Sequence, residues 1–431
     1  MMAKIFRPYT PDQLLLLPPS LREWLPDDHP VYFVNDLVET LDLEPMLSTY
    51  DEERGFPPYH PMLMTKLIVY GYVRGVRSSR KVQRACLEDV AFRVLAVGQS
   101  PDFRTIAAFR ARHLAALEGL FAQVVDLCRE AGLVKLGHLA VDSTKIRAHA
   151  SKHKAMSYAR MKAEEERLRA DIRRWFEGCD EVDAAEDELY GPDKTGDELP
   201  EELADPKRRL QKIQEAKAAL EAEAKAKGKD EPEAKAQRNF TDPDSRIMVS
   251  SDKAFIQAYN CQAAVDADSQ VIVVAQVSQT APDQGQLVPL VEQVTLEQEQ
   301  APKRVSADAG YWKESDIDLL EVNGIEPFVA PKRIKHSQWR TMTAPRGRIP
   351  KDLSRKDRML RKLCTKRGRA EYRKRETSAE PVFGQVKEAL GFRQFLLRGH
   401  RKVQGEWSLV CMGNNILKLM RSGWSPEGAK S

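Results

Sequence analysis

His138-Leu139-Ala140-Val141-Asp142 is a short apolar run that ends in a carboxylate, and the reading of the whole chain turns on it. A run of this length, stopped by a polar residue, reads as a buried strand. The pattern returns at Arg304-Val305-Ser306-Ala307-Asp308, followed by the turn Ala309-Gly310. Between the two, residues 258–266 have strand character, and residues 270–277 are rich enough in β-branched side chains to suit a central strand. A helix is expected over 286–298, another over 315–322 ending near Asn323-Gly324, and a strand over 325–330. Residues 381–390 supply a closing helix. The order is strand, two strands, helix, strand, helix, strand, helix, which predicts a mixed-sheet α/β core.

Outward from this core the pattern changes. Residues 1–130 read as mostly helical. An amphipathic segment covers 36–47, and a helix over 61–72 has Pro61 in its first turn and Leu63, Leu67 and Tyr70 at helical spacing. Ser78-Ser79-Arg80-Lys81 leads into a helix carrying Val82, Cys86, Val90 and Val94. After a turn over 97–102, Ser100 is placed to cap and Pro101 to open a helix with Ile106, Phe109, Leu117, Leu120 and Val124. Arg104, Arg110 and Arg112 lie near its start, and a helix, short turn and helix with such a start resembles a DNA-reading pair. An ordinary helical domain accounts for the same pattern.

Residues 155–238 carry alternating acidic and basic runs. Met161, Leu168, Ile172 and Trp175, and then Leu210, Ile213 and Leu220, fall at coiled-coil-like steps on either side of a loop expected over 178–206. This reads as a charged helical hairpin inserted into the core, which leaves three domains: helical 1–130, a core built from 131–154 and 239–425, and the insertion 155–238.

The chain has 431 residues, 42% hydrophobic and 31% charged, with a net charge of +4 that hides strong segregation. From 332 to 375 there are eighteen lysines and arginines against three acids, with Trp339 and Tyr372 interleaved. A tract this basic implies a polyanion partner; a solvated loop is the alternative. The six cysteines include no C-x-x-C pair, so neither a zinc nor a redox motif is suggested. The Leu14–Leu17 run is too short for a signal sequence, and no apolar stretch reaches membrane-spanning length. The expectation is a cytoplasmic, nucleoid-associated protein that does not meet a membrane.

Carboxylates at strand ends suit phosphodiester chemistry. Short aspartates on a rigid sheet hold hard divalent ions with little freedom, and a glutamate on a helix laid against those ends reaches the same place. Asp142, Asp308 and Glu380 are the candidates. Each has a plainer reading: Asp142 as a strand end, Asp308 as a turn residue, and Glu380 as the last member of a capping box, Thr377-Ser378-Ala379-Glu380. Lys387 lies seven residues beyond Glu380, about two helical turns, and Arg375 and Tyr372 lie just upstream, so cations flank the glutamate where they would grip phosphates.

Tyr372, Arg375, Glu380 and Lys387 resemble the Y-(2)-R-(3)-E-(6)-K signature of DDE transposases of bacterial insertion sequences, here with a second gap of four residues. Ala140-Val141-Asp142-Ser143-Thr144-Lys145, Ala307-Asp308-Ala309-Gly310-Tyr311, Glu380-Pro381-Val382-Phe383-Gly384-Gln385 and the region 61–113 are similar to the same family. The element order is also that expected of an RNase H-like core. The resemblance implies such a core with Mg²⁺ or Mn²⁺, two ions, held by Asp142, Asp308 and Glu380. It implies N-terminal helices that bind terminal inverted repeats, transfer of 3′-OH ends into target DNA, and multimers on paired ends. In some members an aromatic near the second aspartate stabilises a hairpin or a flipped base. Tyr311 and Trp312 stand there, with packing under the sheet as the alternative. A DNA-holding relative without activity and a plain nuclease of the same fold are the competing functions.

Overall fold

The computed structural model describes residues 20–50, 58–150, 155–190, 201–250, 252–334, 342–343, 347, 349–350 and 352–426. The Leu14–Leu17 run, Trp339, much of the basic tract before 352 and the side chain of Trp175 lie outside the described residues. The chain forms two units, Met1–Ala116 with Gly423–Ser431, and Leu117–Ser422. Among the described residues no helix is long and apolar enough to cross a membrane.

The first unit is helical. It contains α1 (Pro30–Thr40), α2 (Glu44–Leu47), α3 (Pro61–Val73), α4 (Ser79–Glu88), α5 (Val90–Leu95) and α6 (Phe103–Arg112). The segment expected over 36–47 is split between α1 and α2. α3 is buried on nearly all sides. It takes even Lys66 inward, where Glu39 neutralises it at 2.6 Å. The single helix expected through Val94 is broken at Asp89, which has extended backbone and accepts the N–H groups of Ala91 and Phe92. Asp102, not Ser100, caps α6, accepting the N–H of Arg104 at 2.8 Å. The helix expected through Val124 stops at His113, and α7 (Leu114–Glu130) follows.

The second unit is built on a mixed sheet. Its strands are β1 (Leu139–Arg147), β4 (Arg246–Val249), β5 (Phe255–Asp266), β6 (Ile272–Ser278), β7 (Arg304–Ala307) and β8 (Glu326–Val329). β1 lies between β5 and β7, β8 is outside β7, and both β4 and β6 pair with the outer side of β5. β1, β5 and β6 form an antiparallel meander, while β7 and β8 run parallel to β1. With α10 (Leu287–Gln298) before β7 and α11 (Glu314–Val322) before β8, this is an RNase H-like mixed sheet.

β6 corrects one expectation. Its apolar sequence suggests a central strand, but it is an outer one, paired only with β5. It is buried because α14 (His400–Arg421) covers it. The side chains of that helix satisfy the open backbone edge. Asn415 accepts from Ile272 N at 2.9 Å and donates to Ile272 O at 2.7 Å. Gln404 does the same for Val277 N and Ala275 O, and His400 Nε2 meets Val277 O. An edge paired in this way no longer templates another strand.

The insertion is a hairpin of α8 (Tyr158–Tyr190) and α9 (Glu201–Ala226), based on the short pair β2 (Ala155–Ser157) and β3 (Gln237–Asn239). Both helices run into the stretch expected to be loop, and α9 passes through Pro206. Met161, Leu168, Ile213 and Leu220 form the seam, as their spacing predicts. Glu165, buried beside it, is held by Lys217 at 2.9 Å and Arg169 at 2.7 Å.

Two further helices complete the unit, α12 (Arg355–Cys364) and α13 (Lys366–Gly384). α13 lies against β1, β5, β7 and β8. His138, just before β1, ties it down. Its Nδ1 meets Glu371 at 2.9 Å, and its Nε2 meets Ser306 of β7 at 2.8 Å. Burial pulls the His138 imidazole down to about 4, against the pull of Glu371. The ring is therefore neutral at pH 7, donating through Nδ1 and accepting the Ser306 hydroxyl. A depressed folded-state value means that this contribution is complete above the unfolded value of about 6.5 and is lost as pH falls toward 4. Denaturant unfolding at pH 7 and pH 4.5 is expected to differ by up to roughly 3 kcal/mol through this residue, with His138→Gln showing a smaller difference. An unchanged difference in the variant would remove His138 as the source.

Candidate active site

Ala140 of β1 and Ser306 of β7 are register partners in the parallel pair. Two residues further along the chain from these partners stand Asp142, still within β1, and Asp308, just past the end of β7. The strands part there. The described β1–β7 pairing covers only Leu139 with Val305 and Ala140 with Ser306. β1 does not end at Asp142, as its apolar run suggests; its antiparallel pairing with β5 continues to Arg147. β7 does end at Ala307. Asp308 then caps a single 3-10 turn, Ala309–Tyr311, by accepting Gly310 N–H at 2.8 Å. Its turn role and its candidate site role therefore coexist.

Glu380 is not at a helix start. It lies deep in α13, whose own cap is Thr365. The capping-box reading fails because Thr377 lies inside the helix and its Oγ1 donates back to Lys374 O at 3.2 Å. Pro381 is tolerated inside the helix because the carbonyl it leaves without an N–H donor, that of Thr377, accepts from Gln270 Nε2 at 2.9 Å instead. Beyond Gly384 the helix widens into a π turn, Gln385–Ala389, which carries Lys387.

Arg375 joins these elements. Its Nη1 is 3.2 Å from Asp142 Oδ2 and 3.2 Å from Glu380 Oε1. The extra residue between Arg375 and Glu380 does not stop the two long side chains from meeting. Burial works against the guanidinium charge, but Asp142, Tyr372, Glu380 and Asp308 together hold its pKa above the ordinary value. Its Nε is buried and has no hydrogen-bond partner. Burial also pushes the Asp142 carboxyl up to about 6; Arg375 and the Ser143 N–H pull it down, and Asp308 and Glu380 add to the rise. Asp142 therefore feels the charge of both other carboxylates. Burial holds the Lys387 ammonium below its ordinary range, with the charge of Asp142 acting against that. Tyr372 is raised by burial, against the effect of Arg375, whose guanidinium lies 5.9 Å from its ring centre.

Asp142, Asp308 and Glu380 offer hard oxygen donors of the type a divalent ion takes. The donor chemistry of the three carboxylates fits such an ion. Arg375 stands between Asp142 and Glu380, and among the described residues no group of three or more His, Cys, Asp or Glu side chains is arranged to hold a metal.

The remaining sequence candidates are more dispersed. Tyr311 is wholly buried and Trp312 is 8% exposed, with its indole N–H unpartnered. Stacking on a base requires Trp312 to leave that position. In the first unit, Arg104 and Arg112 are exposed. Arg104 and Arg80 both lie over the Phe103 ring, and Arg112 lies over that of Tyr50. Arg110 is 9% exposed, and its guanidinium donates to Arg77 O and Ser79 Oγ. Part of the basic tract is likewise committed: Arg355 pairs with Asp318 and Glu321, and Lys362 with Glu326.

Asp283 is one of the core acids, with Asp266 and Asp268, that the sequence alone could confuse with Asp308; its partners are what the sequence does not show. Asp283, in the loop before α10, receives Asn260 Nδ2 at 2.7 Å, Gln262 Nε2 at 2.9 Å and Lys145 Nζ at 3.2 Å. Burial raises its carboxyl, but these donors leave it below the usual carboxylate range. The signal was two polar residues, Asn260 and Gln262, at alternate positions of an otherwise apolar strand. Gly310 borders the group: a Cβ there would stand 3.0 Å from Asp308 Oδ1 and 3.2 Å from Asp283 Oδ2.

The sheet is RNase H-like, the type on which DDE enzymes are built, and the helix that crosses it carries Arg375 and Glu380 beside Asp142. Residues 19–112 match the family model described as a transposase domain (DUF772), and residues 338–420 match that described as a transposase DDE domain. The two matches support a DDE transposase of an insertion sequence, a family that generally uses divalent metals. The second match spans Tyr372, Arg375, Glu380 and Lys387, while Asp142 and Asp308 lie outside both. Neither the curated proteins nor the solved structures gave a match.

Replacing Arg375 with Gln removes the cation beside Asp142 and leaves its burial in place. Carboxyl NMR titration of the metal-free protein is expected to move Asp142 above its value of about 6 in that variant, with Arg375→Lys intermediate. A downward move or no move would show that Arg375 does not set this charge balance.

Proposed function

We propose that this transposase cleaves DNA at the ends of its insertion sequence and transfers the 3′-OH ends into target DNA. Asp142, Asp308 and Glu380 are its essential carboxylates. The observation that carries this reading is the guanidinium of Arg375 shared between Asp142 and Glu380, with Asp308 close enough to act on the charge of Asp142. The three carboxylates would hold Mg²⁺ or Mn²⁺, two ions. Bound there, the ions supply activation of the attacking oxygen and stabilisation of the leaving one.

The chain's own residues do the positioning. β1 and β7 fix the aspartates on a rigid sheet, so little freedom is lost when a ligand binds. α13 brings Glu380 across them. Arg375, with an unused Nε–H, and Lys387, half-buried within the π turn, lie where charged donors grip the phosphates flanking the scissile bond. Tyr372 backs Arg375. In the first unit the exposed Arg104 and Arg112 contact the terminal inverted repeats, and Arg110 braces α6 from inside. The protein works as a multimer on paired ends, in the cytoplasm at the nucleoid.

Asp142→Ala, Asp308→Ala and Glu380→Ala are each expected to lower cleavage of inverted-repeat DNA by about three orders of magnitude, some 4 kcal/mol of barrier, while end binding stays near wild type. Any of the three that cleaves at the normal rate is misassigned. Wild-type protein that binds ends without nicking them in Mg²⁺ or Mn²⁺ would indicate a holding protein, and nicking without joining would indicate a nuclease. End affinity is expected to fall steeply with salt, because many phosphates are neutralised. A flat salt dependence would exclude the basic tract as a DNA surface.

A further inference from the structure

The described β1–β7 pairing stops short of Asp142, and Asp308 follows the end of β7, so the ladder between these two strands leaves a gap between the two residues. A buried polar network spans that gap. On β1, Ser143 and Lys145 alternate with Asp142 and so point to the other face of the sheet. Their register partners on β5 are Gln262 and Asn260.

Lys145 Nζ donates to Ser143 Oγ at 3.3 Å and to both oxygens of Asp283. Asn260 and Gln262 donate to the same Asp283 Oδ1. The free oxygen of the Gln262 amide accepts the hydroxyl of Tyr311. Tyr311 belongs to the turn that Asp308 caps. The chain of contacts therefore runs from the residue after Asp142, through Lys145, Asp283 and Gln262, to the turn that carries Asp308.

We propose that Asp283 is a positioning residue. As the shared acceptor of this network, it sets the separation of Asp142 and Asp308 for a divalent ion. The proposal rests on the reading of those two aspartates as ion ligands. An ionised carboxylate suits the hub because only an acceptor without hydrogens meets three converging donors. An amide in its place turns an N–H₂ toward Lys145, Asn260 or Gln262. Gly310 belongs to the same arrangement: it has no side chain where one would press on Asp308 and Asp283 together.

The test titrates Mn²⁺ into full-length protein by calorimetry and follows the electron paramagnetic resonance of the bound ion. Asp283→Asn, Tyr311→Phe and the double variant are compared with wild type. Tyr311→Phe keeps the packed ring and removes only the hydroxyl link, so it reports even if Asp283→Asn does not fold. Each single change is expected to weaken Mn²⁺ binding by about tenfold or more, as loss of an outer-shell partner does, and to broaden the resonance. The double variant is expected to be no weaker than Asp283→Asn alone, because both changes cut one path. Wild-type Mn²⁺ affinity in folded Tyr311→Phe, or strictly additive losses, overturns the proposal. Asp142→Asn serves as the control. If it too binds Mn²⁺ as wild type does, the ion-ligand reading itself has failed; if it loses the ion while Tyr311→Phe keeps it, only the positioning role of Asp283 is lost.

Discussion

Three carboxylates gathered in a partly dry corner repel one another, and the fold has to supply a positive charge among them. Arg375 supplies it, touching Asp142 and Glu380 at once. Much of the surrounding structure can be read as what is needed to keep that guanidinium in place. α13 must cross β1 at one height, so His138 joins it to β7 through Glu371 and Ser306. The helix must stay helical through Pro381, so Gln270 serves the stranded carbonyl. An anion paired with a fixed cation keeps more of its charge in a setting that would otherwise favour the protonated acid.

The sheet addresses this problem from two sides. On one face lie the aspartates, α13 and its cations. On the other lies a neutralised cluster in which Lys145 and Asp283 cancel. The two faces communicate through alternation along β1, where Asp142 and Ser143 are neighbours in sequence and point opposite ways.

The parts of this design that are legible in the sequence rest on simple periodicities. Apolar runs stopped by an acid located β1 and β7, and the seam residues Met161, Leu168, Ile213 and Leu220 located the hairpin. Where one residue plays against type, reading fails. Pro381 suggests a helix start, yet it sits inside a helix because a side chain far away in sequence compensates. Asp89 and Asp102 reset helices by capping, a role their composition shares with any turn. The buried side of α14 includes Gly405, Glu406, Gly413, Asn414 and Asn415, so it carries no clean apolar period. β6 reads as central because it is apolar, whereas neighbour count depends on the partners present. Asp283 is visible in the sequence only as one more core acid; its donors come from two strands and meet only in the fold.

The amides that close the edge of β6 come from residues 127 to 143 positions further along the chain. During synthesis β6 therefore emerges long before the helix that covers it. For that interval its N–H and C=O groups face outward from an apolar strand, the condition under which chains pair with one another rather than with themselves. The same covering that gives the finished sheet a quiet border makes the nascent one dependent on the prompt arrival of its last helix.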